Sequence, residues 1–271
     1  MPPQYLFDRD AGIWNSILGE LTASRQLLMF LDYDGTLVPI QKLPSLAVLP
    51  SEMKGFLRRL SKRPNVSLGL VTGRSLSDIK SLVQLNGVFY VTNHGFQTSL
   101  TKSHWVHPEA QRALPVLGKI FLELRSTLSS IRGVLIEDKQ YTLTVHYRNV
   151  RERSVPLLKK AVGRVVRPYR TMVKMTTGKK VIEVMPNVSW DKGHAVLRIL
   201  RLLSSRGKPL IVYIGDDKTD EDAFRLLPPS AITIRVGWSR TSHAAYFVHS
   251  PTEVQALLKA IDSIRDEGNR K

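Results

Sequence analysis

The sequence predicts an α/β protein: a doubly wound, Rossmann-like core with a parallel sheet, into which an α+β cap is inserted. Short apolar runs rich in β-branched and aromatic residues alternate with helical patterns, which is typical of βαβ units. The middle of the chain instead shows paired strands separated by short turns. A length of 271 residues leaves room for both a core and an inserted domain.

Five apolar runs predict the core strands, at residues 26–32, 66–72, 88–92, 210–215 and 231–236. Continuous apolar runs are typical of parallel strands, because such strands are covered on both faces. Helix start signals lie between them. Ser51 precedes one helical pattern, and Ser75 is followed by Asp78 at capping-box spacing before another.

The inserted domain is predicted over residues 106–186, and residues 1–105 with 187–271 form the core. A helix followed by two strands occurs twice in the insert, at residues 109–126, 134–138, 141–148, 151–166, 170–176 and 180–185. Short turns at Lys139-Gln140 and Thr177-Gly178 predict that each strand pair is an antiparallel hairpin.

The formal net charge of +17 points first to nucleic acid, since Lys and Arg neutralise phosphates. The basic residues are spread along the chain, however, and no aromatic residues interleave them as base-stacking platforms. We therefore expect no nucleic-acid partner, and a basic surface that favours solubility and encounter with anionic substrates.

Cysteine is absent, which excludes disulfides and thiolate metal sites and fits a reducing compartment. Apolar runs such as Leu27 to Leu31 are far shorter than a bilayer span, and the N-terminus lacks a signal-peptide pattern. The expectation is a cytoplasmic protein without a membrane partner, and a monomer.

Polar or glycine-rich residues follow four of the predicted core strands. They are Asp32-Tyr33-Asp34-Gly35-Thr36, Thr72-Gly73-Arg74, Asn93-His94-Gly95 and Gly215-Asp216-Asp217. Open α/β sheets bind ligands beyond the carboxyl ends of their strands, so these segments predict the site. Lys192 opens a long helical pattern after the insert, where backbone N–H groups already favour an anion.

Four carboxylates at one edge would repel each other, and a cation is the natural remedy. They belong to Asp32, Asp34, Asp216 and Asp217. Oxygen ligands without cysteine favour Mg²⁺, which suits phosphate chemistry. Lys192, Arg74 and the hydroxyls of Thr36 and Thr72 then supply donors for a phosphoryl group. The set predicts phosphoryl transfer with an aspartate nucleophile.

These segments resemble a known family. Asp32-Tyr33-Asp34-Gly35-Thr36 is similar to the DxDGT motif of haloacid-dehalogenase-superfamily phosphatases, and Thr72, Lys192 and the stretch from Gly215 to Asp220 are similar to its later motifs, in order. Within that superfamily the chain resembles the trehalose-6-phosphate phosphatases. The segments that carry this likeness are YIGDDKTDEDAF, GKKVIEVMP, YTLTVHYR, NHG and DKG.

The resemblance implies a role for each matching residue. Asp32 would attack phosphorus and also bind Mg²⁺, and Asp34 would act as general acid and then as general base. Asp216 would bind the metal directly, together with the backbone carbonyl of Asp34. Thr72 and Lys192 would bind the phosphate, whereas the remaining acidic residues would support the metal; these are Asp217 and Asp220.

The resemblance also implies substrate-binding residues. Arg74, Asn93 and His94 would lie around the phosphate, and three polar cap residues would bind sugar hydroxyls when the cap closes: Arg148, Lys179 and Glu183. Simpler interpretations exist. The segment from Asn93 to Gly95 also fits a left-handed turn, Asp217 and Asp220 also fit the cap of a helix at residues 221–227, and the cap residues also fit solvated strand faces.

The main functional prediction is hydrolysis of trehalose 6-phosphate to trehalose and phosphate, the final step of trehalose biosynthesis, by a Mg²⁺-dependent enzyme. Alternatives are a phosphatase for sucrose 6-phosphate or mannosyl-3-phosphoglycerate, a phosphomutase that returns the phosphate to a sugar, or a basic binding module on a phosphatase fold.

Overall fold

The computed structural model describes residues 2–8, 10–101, 103–203 and 208–267. The chain divides into two compact units, Met1–His104 with Trp190–Lys271, and Trp105–Ser189. None of the helices in the described ranges is long and apolar enough to cross a membrane. The mixed α/β class with a large parallel sheet is confirmed.

The larger sheet has nine strands among the described residues, in the order β1-β13-β12-β11-β2-β3-β4-β5-β6. The strands are β1 Gln4–Tyr5, β2 Leu27–Asp32, β3 Val66–Val71, β4 Phe89–Thr92, β5 Gln97–Leu100, β6 Ser103–Val106, β11 Leu210–Gly215, β12 Ile232–Val236 and β13 Tyr246–Val248. The helices of this unit are α1 Ile13–Ala23, α2 Ser51–Leu60, α3 Leu76–Val83, α6 Lys192–Leu203, α7 Lys218–Leu226 and α8 Pro251–Glu267. In this order, each strand from β1 through β13, β12, β11, β2 and β3 to β4 pairs in parallel with the next, and β5 pairs antiparallel with β4.

The central strand β2 explains why the core strands are continuous apolar runs. All six of its residues are buried. Successive side chains of a strand point to opposite faces, so Leu27, Met29 and Leu31 join one hydrophobic cluster. Leu28 and Phe30 join a second cluster on the other face. Because both faces are covered, no polar residue interrupts the run until Asp32.

A glycine in β3 is required by this packing. A Cβ atom on Gly69 would lie 1.9 Å from the Phe89 ring, which itself packs against Phe30. We expect Gly69→Ala to lower the free energy of unfolding by about 1–3 kcal/mol, measured by urea denaturation. The control is Gly19→Ala in α1, where a Cβ meets no atom within 4 Å, and a gain of about 0.5–1 kcal/mol is expected. Equal effects of the two changes would contradict the packing argument.

The smaller unit is an antiparallel sheet covered by two helices. Its strands, in the order β7-β8-β10-β9, and its helices are β7 Leu135–Asp138, β8 Leu143–His146, β9 Val173–Gly178, β10 Val181–Pro186, α4 Pro108–Thr127 and α5 Val155–Val166. Val145 and Val184 join the cluster formed with Leu117 of α4 and Leu158 of α5. The predicted hairpin pairing is confirmed.

The predicted second hairpin turn and the predicted N-cap of α2 were wrong. The second hairpin turns at Lys179-Lys180, two residues later than predicted, because β9 stays paired through Gly178 and Lys180 takes the left-handed conformation with φ of 67°. Helix α2 begins at Ser51, so Pro50 takes the N-cap position. The other start signal is confirmed, since the Ser75 side chain accepts a hydrogen bond from the Asp78 amide.

Candidate active site

The predicted catalytic segments lie at one edge of the large sheet. Asp32 is the last residue of β2, Thr72 follows β3, Asn93 follows β4, and Asp216 follows β11. These four strands are parallel neighbours, so their carboxyl ends share that edge. The fold therefore brings together segments that are far apart in the sequence.

Lys192 lies at the centre of the site. It is the first residue of α6 and is buried, and its Nζ atom lies 2.8 Å from Asp32 Oδ1 and 2.9 Å from Asp220 Oδ1. Burial by itself lowers the pKa of Lys192, but the charges of Asp220 and Asp32 outweigh it and raise the pKa well above its usual range. Lys192 is therefore a fixed positive charge beside the proposed nucleophile.

Asp220 is held by four hydrogen bonds. Its Oδ1 atom accepts from Lys192 and from the Tyr213 hydroxyl, at 2.9 and 2.8 Å. Its Oδ2 atom accepts the backbone N–H groups of Asp216 and Asp217, both at 3.1 Å. Gly215 leaves the necessary space, because a Cβ there would lie 2.2 Å from the Asp220 carboxyl carbon. Asp220 thus ties the loop after β11 to Lys192.

Tyr213 is a site residue that the sequence analysis did not single out. Burial, followed by the charge of Asp220, raises the pKa of Tyr213 well above its usual range, so its hydroxyl remains a donor. One signal was present in the sequence. In a strand, residues two apart share a face, so the predicted strand at 210–215 places Tyr213 on the same face as Gly215. The structure adds that Asp220 lies beside Gly215.

Three carboxylates form a group that fits a divalent cation. Asp32, Asp216 and Asp220 each offer an oxygen, and these oxygens lie within 4.8 Å of one another. Gly35 makes the approach of Asp216 possible, because a Cβ there would lie 2.4 Å from an Asp216 oxygen. Buried oxygen donors of this kind suit Mg²⁺. Since Asp220 already accepts four hydrogen bonds, Asp32 and Asp216 are the better direct ligands.

The electrostatics of Asp32 agree with a cation site. Burial raises the pKa of Asp32, and the charges of Asp220, Asp216 and Asp217 add to this effect against the opposing charge of Lys192. A nucleophile must be ionised, and a cation beside Asp32 would favour its ionised form.

Asp217 caps a helix. Its Oδ1 atom accepts the Thr219 backbone N–H at 2.6 Å and the Thr219 hydroxyl at 2.7 Å, and with Asp220 it forms a capping box at the start of α7. The helix therefore begins at Lys218, three residues before the predicted position.

Asp34 is bound by Arg74 on both carboxylate oxygens. The Arg74 Nε atom lies 2.7 Å from Asp34 Oδ2, and Nη2 lies 2.8 Å from Asp34 Oδ1. The structure therefore places Arg74 against the proposed general acid, and its predicted contact with the substrate phosphate stays a prediction.

The loops after β3 and β4 are tied together by backbone hydrogen bonds. The N–H groups of Asn93 and His94 donate to the carbonyls of Arg74 and Thr72, at 2.9 and 3.2 Å. Asn93 and His94 have φ of 51° and 56°, so the left-handed turn is confirmed. A Cβ on Gly73 would lie 2.4 Å from the His94 ring, which explains the glycine between Thr72 and Arg74.

The predicted sugar-binding residues lie in the smaller unit. Arg148 donates to the backbone carbonyl of Lys179 at 3.1 Å, and both residues are exposed. Glu183 is buried in β10, where its carboxylate accepts the Thr144 hydroxyl at 2.8 Å and lies 3.6 Å from the Lys139 ammonium. Their role in sugar binding stays a prediction.

Comparisons with known proteins find relatives of this chain. A family model described as trehalose-phosphatase matches residues 30–252. The chain is 34% identical over 255 residues to trehalose 6-phosphate phosphatase RA3 of Zea mays, covering 88% of this chain and 70% of that protein. It is 36% identical over 250 residues to the trehalose-phosphate phosphatase of Mycobacterium tuberculosis, covering 88% of this chain but only 61% of that protein.

A solved structure shares the fold. The crystal structure of a trehalose-6-phosphate phosphatase related protein superposes with a TM-score of 0.78 at 28% identity, covering 89% of this chain and 99% of the other. The likeness therefore spans both the segments around Asp32 and most of the remaining chain.

Proposed function

Since the chain belongs to the trehalose-phosphatase family, we propose that it hydrolyses trehalose 6-phosphate to trehalose and phosphate, with Asp32 as the nucleophile. The observation that carries the mechanism is the buried pair of Lys192 and Asp32, 2.8 Å apart at the carboxyl edge of the sheet. In this arrangement the carboxylate can attack phosphorus while the ammonium group neutralises the phosphate oxygens.

The first step transfers the phosphoryl group to the protein. An Asp32 oxygen attacks phosphorus, the bond from phosphorus to the sugar oxygen breaks, and Asp34 donates its proton to that oxygen. Lys192 and the Thr72 hydroxyl hold the phosphate oxygens while charge builds on them. The products of this step are trehalose and an aspartyl-phosphate on Asp32.

The second step regenerates the protein. Asp34, now a carboxylate, takes a proton from a water molecule whose oxygen attacks phosphorus. The bond between phosphorus and Asp32 breaks, inorganic phosphate leaves, and Asp34 is again protonated. One group thus serves as acid and then as base, which agrees with its position two residues from the nucleophile.

A magnesium ion would be held by Asp32, Asp216 and the backbone carbonyl of Asp34, with Asp217 and Asp220 fixing the loop around them. When bound, it supplies positive charge that keeps Asp32 ionised and neutralises the phosphate.

We expect a chelator to abolish turnover and Mg²⁺ to restore it. Ca²⁺ should fail to restore it, because its larger and more flexible coordination sphere disturbs in-line attack. Full turnover in excess chelator would contradict this prediction.

A sugar-phosphate panel tests the substrate. Phosphate release should be fastest from trehalose 6-phosphate, and a clear preference for sucrose 6-phosphate or mannosyl-3-phosphoglycerate would overturn the proposal. Isomerised sugar phosphate without free phosphate would indicate a phosphomutase. If no sugar phosphate were hydrolysed, the interpretation of the protein as a binding module would remain.

We also propose that Arg148, Lys179 and Glu183 recognise sugar hydroxyls. Glu183→Gln should therefore raise KM for trehalose 6-phosphate more than it lowers kcat.

A further inference from the structure

We propose that Asp78 is a positioning residue, which holds the guanidinium group of Arg74 so that Asp34 points its carboxyl group at the leaving sugar oxygen. This inference rests on the proposed function, because Asp34 is the general acid only if the chain is a phosphatase. Asp78 lies in the first turn of α3 and has no predicted role beyond the helix start signal.

The contacts of Arg74 define one orientation of its guanidinium group. Nε and Nη2 bind the two oxygens of Asp34, and Nη1 lies 2.5 Å from Asp78 Oδ2. Nη2 also donates to the Pro44 carbonyl at 2.8 Å, and the group lies over the Tyr33 ring at 5.3 Å. The Arg74 side chain is only 6% exposed. Each nitrogen of the fork is thus assigned to a partner, and rotation would break several contacts at once.

Asp78 is the partner best able to hold this arrangement. Its position is set by α3, because its backbone N–H donates to the Ser75 side chain at the N-cap. It lies four residues after Arg74, on the helix that Arg74 precedes. Asp34, by contrast, lies in a loop, and its side chain is 39% exposed against 33% for Asp78. The helix therefore fixes Asp78, Asp78 fixes Arg74, and Arg74 orients the more accessible Asp34.

Orientation matters because a general acid transfers its proton only within hydrogen-bond reach of the leaving oxygen. Misplacement by about 1 Å can cost about 10²-fold in rate. If Asp78 acts through Asp34, its removal should harm only reactions in which the leaving group needs a proton.

The test compares trehalose 6-phosphate with an analogue whose bridging oxygen is replaced by sulfur. The sulfur analogue releases a thiolate, which leaves without being protonated. The sugar oxygen of trehalose 6-phosphate must be protonated as it leaves. We expect Asp78→Ala to lower kcat on trehalose 6-phosphate roughly 10- to 100-fold, and kcat on the sulfur analogue less than about threefold. Asp78→Asn keeps an oxygen acceptor for Arg74, so it should lower kcat on trehalose 6-phosphate less than Asp78→Ala does.

A matched control is Asp262→Asn in α8. Asp262, like Asp78, is an aspartate paired with arginine, at 2.6 Å from Arg59 and 3.3 Å from Arg63, although Asp262 is buried and Asp78 is half-buried. Its removal should lower stability and change kcat by the same factor on both substrates. In an Asp34→Asn background, Asp78→Ala should have no further effect on kcat, since the group that it positions is already gone.

Equal losses on both substrates, or a further loss in the Asp34→Asn background, would overturn the role of Asp78 while leaving the proposed function intact. Failure of the wild-type protein to hydrolyse either substrate would overturn the proposed function, and this inference with it.

Discussion

Replacing Asp32 with asparagine is expected to reduce phosphate release from trehalose 6-phosphate to background, a loss of at least about 10⁴-fold. Asparagine matches aspartate in shape, but its amide oxygen is too weak a nucleophile to attack phosphorus. The measurement is phosphate release in single-turnover reactions with excess Mg²⁺. A variant that keeps more than about a tenth of wild-type kcat would exclude Asp32 as the nucleophile.

The same variant should not lose stability. Burial and neighbouring carboxylates raise the pKa of Asp32, so its ionised form costs more in the folded state than in the unfolded state. A group with a raised pKa contributes stability at low pH and loses it as pH rises through the folded-state pKa. At neutral pH in a chelator, Asp32→Asn should therefore unfold at an equal or higher temperature than wild type. The control, Asp262→Asn, should show the opposite pattern, with activity retained and stability lowered.

Lys192→Ala is expected to be the most destabilising change in the site. Lys192 is buried between Asp32 and Asp220, and its removal leaves two carboxylates that repel without a compensating charge. Breaking a buried ion pair in this way costs about 3–5 kcal/mol. Urea denaturation in the presence of a chelator measures the loss, and turnover should also fall to background because the phosphate loses its ammonium partner.

Two comparisons make the Lys192 prediction specific. Lys54→Ala removes a half-buried lysine that bonds the Gln84 side chain, and it should change the free energy of unfolding by less than about 0.5 kcal/mol. Adding Asp32→Asn to Lys192→Ala should recover part of the lost stability, because one of the two unpaired charges is removed. An unfolding midpoint for Lys192→Ala equal to that of wild type would show that the buried charges are solvated in solution.

Much of the core followed from the sequence because its elements obey local rules. The predicted strand at residues 26–32 forms at Leu27–Asp32, and the run at 210–215 forms with the predicted bounds. Buried parallel strands read as continuous apolar segments, and this signal does not depend on distant residues. The polar residues after those strands could be assigned to one edge, since parallel strands end together.

Local rules failed where the outcome depended on distant contacts. The second hairpin turn lies at Lys179-Lys180, because strand pairing extends further than the Thr177-Gly178 signal indicates. The sequence also showed glycines at positions 35 and 215 but not their reason, which is the space taken by two carboxylates, those of Asp216 and Asp220. Side-chain volume at a crowded site is a property of the assembled core.

By itself the sequence determined the fold class, the positions along the chain of the strands that carry the chemistry, and the residue types available for phosphoryl transfer. Only the tertiary structure decided which partner each side chain takes. Arg74 binds Asp34 and Asp78 rather than standing free, and Tyr213 reaches Asp220. Hydrogen bonds form over about 3 Å and require alignment. Even partners close in the sequence, such as Tyr213 and Asp220, therefore meet only when their strand and helix are packed together, and Arg74 meets Asp34 across 40 residues of chain.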